Sequence, residues 1–195
     1  MGNVAAGRRG SVLSKESSIT DSKPSRQNTL AEDSPPEPLS DLQKAELTRT
    51  WKLLEEDIAK VGVITFISLF ETHPDVQQVF MPFSGIELED LKHSKQLRAH
   101  ALRVMAFVQK CISRLNEPEK LEQLLRELGK KHHSYKAKAK YVDLVGPQFI
   151  QAIQPSLGEE WNEEVSEAWI LLFAHINYTM KGAMNEAAEE AKMKQ

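Results

Sequence analysis

From Leu39 to Met180 the large apolar side chains recur at three- and four-residue intervals. No stretch alternates apolar with polar residues long enough to make a convincing strand. That period belongs to helices with one apolar face, which can bury it only against other helices. The run opens with Leu39-Ser40-Asp41-Leu42-Gln43, where Ser40 suits an N-cap and Gln43 completes a capping box. Leu42, Leu47, Trp51, Leu54 and Ile58 follow at helical spacing, and Gly62 reads as an interruption. A second run, Val63 to Phe70, stops before His73-Pro74, because proline disfavours helix at the residue before it. Phe80, Pro82, Phe83 and Gly85 then make a short irregular stretch.

A third long helix is expected from about Asp90 to Leu115, with Leu97, Ala101, Val104, Val108, Cys111 and Ile112 on one face. Pro118 suits the first turn of the next helix, which carries Leu121, Leu124, Leu125 and Leu128. Tyr141 to Ile153 reads as helical, ended by Pro155 and Gly158. The last helix holds Val165, Trp169, Leu172, Phe173, Ile176 and Met180, then frays into a charged tail at 185–195. The expected fold is all-α, six to eight helices without a sheet.

The 195 residues suit one domain, and 41% hydrophobic residues supply its core. A net charge of −3 argues against a nucleic-acid partner, which calls for a concentrated basic face. A single cysteine, Cys111, rules out an internal disulfide and fits a reducing, cytoplasmic setting; on its apolar stripe it should be a core thiol. Residues 1–38 are rich in Ser, Pro, Asn and charge, cannot bury enough apolar surface to offset ordering entropy, and are expected to be disordered. The N-terminus lacks the apolar core of a signal peptide, and no run reaches the roughly 20 apolar residues of a membrane span.

Six histidines raise the question of a metal. His100 falls three residues after Leu97 and four before Val104, on their apolar face. His132 falls four after Leu128 and seven after Leu125, also inward; His133, turned about 100° away, should be more exposed. His73 and His93 read as surface residues, and His175 suits either packing or solvent. A lone histidine on an apolar stripe is most often a satisfied core residue. Two of them on two different helices shift that balance, because imidazole is a good iron ligand. No Cys/His cluster has zinc spacing, and no nucleophile–base pair or phosphate-binding loop points to another enzyme class.

Leu128-Gly129-Lys130-Lys131-His132 resembles the proximal-histidine helix of globins, and of the neuroglobin-like vertebrate globins in particular. Trp51, Pro74, Phe80 and the set Leu97, His100 and Val104 match further globin landmarks in order, over roughly Leu39 to Met184. The resemblance implies a globin domain at 39–184 around haem b, with His132 as the proximal iron ligand. His100 then either hydrogen-bonds a bound ligand or takes the sixth iron position itself. Phe66 matches the distal-pocket aromatic, Phe80 and Phe83 would wall the porphyrin, and Val104 and Leu128 would pack on its two faces. Leu97 and Val145 suit the pocket or plain core packing. Arg103 suits a haem propionate or a solvated surface. The redox gating that a disulfide provides in some neuroglobins is excluded with one cysteine.

Met1-Gly2 meets the start of a myristoylation signal, although Ala6 stands where Ser or Thr is preferred. Arg8 and Arg9 would add attraction to an anionic leaflet, and Arg8-Arg9-Gly10-Ser11 reads as a basic-directed phosphorylation site or a chance match. This extension resembles that of globin X, a membrane-associated globin; Asn3 stands where that family commonly has a cysteine. The implied function is binding of O2, NO or CO and redox or nitrite chemistry, fed by an electron-donor reductase near a membrane. The alternatives are an oxygen store or carrier, and a haem-free interaction module.

Overall fold

Ser40 opens the first helix as its sequence requires. Its Oγ accepts from the Gln43 amide at 3.2 Å, and Gln43 Oε1 accepts from the Ser40 amide at 2.9 Å. The computed structural model describes residues 34–194; Gly2, Arg8, Arg9 and Ser11 lie outside them. Among the described residues the helices are α1 (Asp41–Leu54), α2 (Ile58–Thr72), α3 (Pro74–Val79), α4 (Leu88–Lys92), α5 (Lys95–Ile112), α6 (Pro118–Ser134), α7 (Val145–Leu157) and α8 (Glu163–Met193). Short 3-10 turns cover Glu55–Asp57, Ala139–Leu144 and Gly158–Glu160, and no strand occurs among the described residues. The fold is the all-α architecture expected of a globin.

The helices pack in crossing pairs, α2 on α5 and α7, α6 on α8, and α1 on α8. One apolar cluster gathers Trp51, Met105, Phe149, Trp169 and Phe173 from α1, α5, α7 and α8. The indole N–H of Trp169 is satisfied at Thr50 Oγ1, 3.2 Å away, and that hydroxyl donates to the Glu46 carbonyl. A second cluster gathers Phe66, Phe70, Phe83, Leu91 and Leu97 around the stretch between α3 and α4. Cys111 is a core thiol as expected, and burial pushes its pKa up to about 12.

Several local expectations are corrected. Leu42 is 81% exposed, outside the stripe of Leu47, Trp51 and Leu54. Gly62 does not interrupt α2. A Cβ there would meet Ala101 Cβ at 3.0 Å and Met105 Cγ at 3.1 Å, so glycine lets α2 and α5 cross closely. The single helix expected from Asp90 is two, because Ser94 accepts from the Leu97 amide and starts α5 afresh. α7 runs past Pro155 to Leu157 and stops at Gly158, whose φ is 53°. α8 continues to Met193, with Ala183 and Met184 buried and Glu186 paired with Arg126 of α6. Glu37, within the stretch expected to be disordered, accepts a 2.8 Å hydrogen bond from His175 Nε2.

Gly129 sets how closely α6 can approach α8. A Cβ there would lie 2.5 Å from the Met180 carbonyl oxygen and 2.9 Å from Ala183 Cβ. A backbone carbonyl inside a helix cannot step aside. Gly129→Ala should therefore cost about 1–3 kcal/mol despite alanine's better helix propensity. Urea denaturation would show a lower midpoint; an unchanged midpoint would mean that α8 yields freely.

Candidate functional site

His132 occupies the last turn of α6, with Nδ1 2.9 Å from the Leu128 carbonyl oxygen. A carbonyl can only accept, so Nδ1 carries a proton and Nε2 is the ring nitrogen left to ligate. A backbone hydrogen bond that fixes tautomer and ring orientation is what a ligating histidine needs. His133 is half-buried, as His132 is, rather than more exposed, so burial does not choose between them; the hydrogen bond does.

His100 lies on α5, packed edge-on against three rings: Phe66 at 4.8 Å, Phe80 at 5.4 Å and Phe83 at 5.8 Å between centroids. Phe80 and Phe83 stack nearly parallel at 6.0 Å. Burial among these rings lowers the His100 pKa to about 4, and the nearby charges of Arg103 and His132 push the same way. The imidazole is therefore uncharged at neutral pH, with a lone pair to offer. α5 packs chiefly on α2 and α6 on α8.

Phe66, Phe80, Phe83, Leu97, Val104 and Val145 come together in one apolar cluster, while Leu128 belongs to the other; Val104 touches both. Phe80, Val104, Leu128 and Val145 are only half-buried; the Phe80 ring meets His100 and the Leu128 carbonyl meets His132. Arg103 is exposed, one turn from His100, with no ion pair among the described residues. His93 is exposed as expected, and His73 is half-buried at the α2–α3 junction. Two shallow surface hollows, on the outer face of α6 and between α1 and the end of α5, are lined by no histidine or cysteine.

The donor set tests what this place could hold. Among the described residues no three His, Cys, Asp or Glu side chains gather to hold a bare ion. Two imidazoles flanked by half-buried apolar side chains suit a metal that brings its own equatorial ligands on a flat apolar ring. Haem fits that description.

Gln77 was not legible in the sequence as a site residue. It is buried on α3, and its Nε2 donates to the carbonyls of Phe83 at 3.0 Å and Ile86 at 2.7 Å. It thereby staples the irregular stretch that holds Phe80 and Phe83 against His100. No periodicity distinguishes such a glutamine from a solvated one.

The globin family profile matches residues 64–180, and the chain belongs to the globin family. That membership implies haem, and globins bind diatomic gases such as oxygen. Among its relatives is Cytoglobin-2 of Danio rerio, 31% identical over 153 residues, covering 77% of this chain and 86% of that one. Neuroglobin of Tetraodon nigroviridis is 26% identical over 155 residues, covering 79% and 98%. The crystal structure of a hexacoordinated heme protein from an anhydrobiotic tardigrade at pH 4 shares the fold, with a TM-score of 0.72 at 17% identity, covering 76% of this chain and 96% of that one. No described helix is long and apolar enough to cross a membrane.

Proposed function

We propose that this globin holds haem b between α5 and α6, with His132 Nε2 as the proximal iron ligand and His100 in the sixth position at rest. When bound, the haem supplies an iron that takes up O2, NO or CO and changes oxidation state by one electron, which is the basis for nitrite chemistry. The observation that carries the reading is the hydrogen bond from His132 Nδ1 to the Leu128 carbonyl, which leaves Nε2 as the ring nitrogen able to ligate; His100, uncharged among its aromatic rings, is the second donor. The neuroglobin and cytoglobin relatives support it, as does the hexacoordinated haem of the tardigrade protein.

Each residue has a part. Phe66, Phe80 and Phe83 exclude water around His100 and hold its ring; Val104 and Leu128 would pack against a bound porphyrin. Leu97 and Val145 complete the apolar lining, and Arg103 offers a guanidinium to a propionate. With haem bound, His100 in the sixth position would have to detach before an external ligand could enter, so it would set how readily the site opens. Titration of the apoprotein with ferric protoporphyrin IX should saturate at one haem per chain, with the absorbance of axial imidazole ligation. Failure to saturate, or a free-haem spectrum, would refute the proposal.

Within the neuroglobin-like group we place the chain nearest globin X, at the inner face of the plasma membrane, on its Met1-Gly2 start and the residues ahead of the globin domain. A myristoyl chain on Gly2 anchors only marginally, so Arg8 and Arg9 add about 1 kcal/mol each near an anionic leaflet, and a phosphate on Ser11 would oppose them. Gly2→Ala should move the protein from the membrane to the soluble fraction of expressing cells. A distribution identical to wild type would remove the anchor from this account.

A further inference from the structure

Between Leu128 and Val142 the sequence holds five lysines, Lys130, Lys131, Lys136, Lys138 and Lys140, and no acidic residue, in a chain whose net charge is −3. All five are exposed, and none makes an ion pair among the described residues. Lysines in the last turn of α6 are expected from the helix dipole, but Lys136, Lys138 and Lys140 lie beyond the helix. Lys136 takes the left-handed conformation, φ 60°, at the position where a helix usually ends in glycine. Its amide bonds the His133 carbonyl at 2.9 Å, and the next amide, Ala137, bonds the His132 carbonyl at 3.0 Å, so the cap is fully formed around a residue poorly suited to it. Lys138 and Lys140 lie over the Tyr141 ring, 5.9 and 4.9 Å from its centroid. Amid these charges Tyr135 is 73% exposed, with its ring 6.4 Å from that of His132.

We infer that the C-terminal end of α6 and the turn after it form a docking surface for an acidic one-electron carrier protein, with Tyr135 at its centre against the proximal histidine. Opposite charge steers such a partner and fixes its orientation, and a central exposed aromatic is the usual anchor of an interface. The transfer is balanced: the partner's reduced centre gives up one electron, ferric haem iron becomes ferrous, and no proton or bond is exchanged. A membrane surface is the weaker reading, since it gives no role to an exposed aromatic ring against the iron ligand. The inference rests on the haem proposal above.

The test uses the full chain loaded with haem and a plant-type [2Fe–2S] ferredoxin, a small acidic one-electron carrier. Calorimetry with oxidised ferredoxin at about 0.01 M ionic strength should show binding that weakens steeply with salt. Lys130→Glu/Lys136→Glu/Lys140→Glu should weaken it at least tenfold. Lys136→Gly, which suits the cap better and cannot fail to fold for lack of it, should weaken binding while raising the melting temperature. Tyr135→Ala should slow reduction by photoreduced ferredoxin about tenfold. Reduction by deazariboflavin semiquinone, a small neutral donor, should be the same in all variants and shows separately that the haem is present and reducible. Salt-independent or absent ferredoxin binding by the wild type would overturn the inference. So would a triple variant that binds ferredoxin normally but no longer sediments with anionic vesicles.

Discussion

His132→Ala is expected to lose its haem, while His133→Ala keeps it. Both histidines sit in the last turn of α6 and both are half-buried, so neither position nor burial separates them. The separation comes from chemistry. His132 donates its Nδ1–H to the Leu128 carbonyl, four residues back, and that bond fixes the ring and keeps Nε2 as the nitrogen that can ligate. Removing an outer partner of a metal ligand typically costs 10–100-fold in affinity, so removing the ligand itself should cost more than about 100-fold. Haem transfer from each variant to an excess of apomyoglobin reads this directly. Normal retention by His132→Ala with rapid loss from His133→Ala would show that the neighbouring ring is the ligand.

His100→Leu should have the opposite kind of effect, opening the site rather than emptying it. An internal ligand reduces apparent affinity by the fraction of molecules in which it is detached. If the closed form outnumbers the open one by roughly 100 to 1, carbon monoxide association should quicken by about 100-fold in the variant. Leucine is close in volume to imidazole and suits the nest of Phe66, Phe80 and Phe83, so the fold should be kept. Flash photolysis of the carbonyl complex checks the rate. Equal rates in wild type and variant would mean that His100 never holds the iron.

What could be read from the sequence was what is local or periodic. The capping box at Ser40 and Gln43 depends on residues three apart, and the stops at Pro74 and Pro118 depend on proline's own geometry. The apolar-face phase of His100 and His132 follows from neighbours within two helical turns, so the pair proposed to hold the iron could be picked out as candidates. Features set by contacts between distant segments were not. Gly62 looks like a helix breaker until Ala101 and Met105 are placed against it. Gln77 gains its role only when the chain after α3 folds back so that the Phe83 and Ile86 carbonyls reach its amide. The charged end of α8 reads as a fraying tail because its support lies far back on α6, at Gly129 and at Arg126, 60 residues before its partner Glu186. Leu42 fits the spacing of its helix but falls on the first turn, where no other helix covers it.

The central claim is that two imidazoles from α5 and α6 hold one haem iron, and the visible absorption spectrum of the ferrous protein without added ligand tests it most directly. The account predicts the sharp, split bands of a low-spin iron with two axial nitrogens, reverting to a single broad high-spin band in His100→Leu. A broad high-spin band in the wild-type protein would contradict it, leaving His132 alone on the iron and His100 free beside an open oxygen-carrying site.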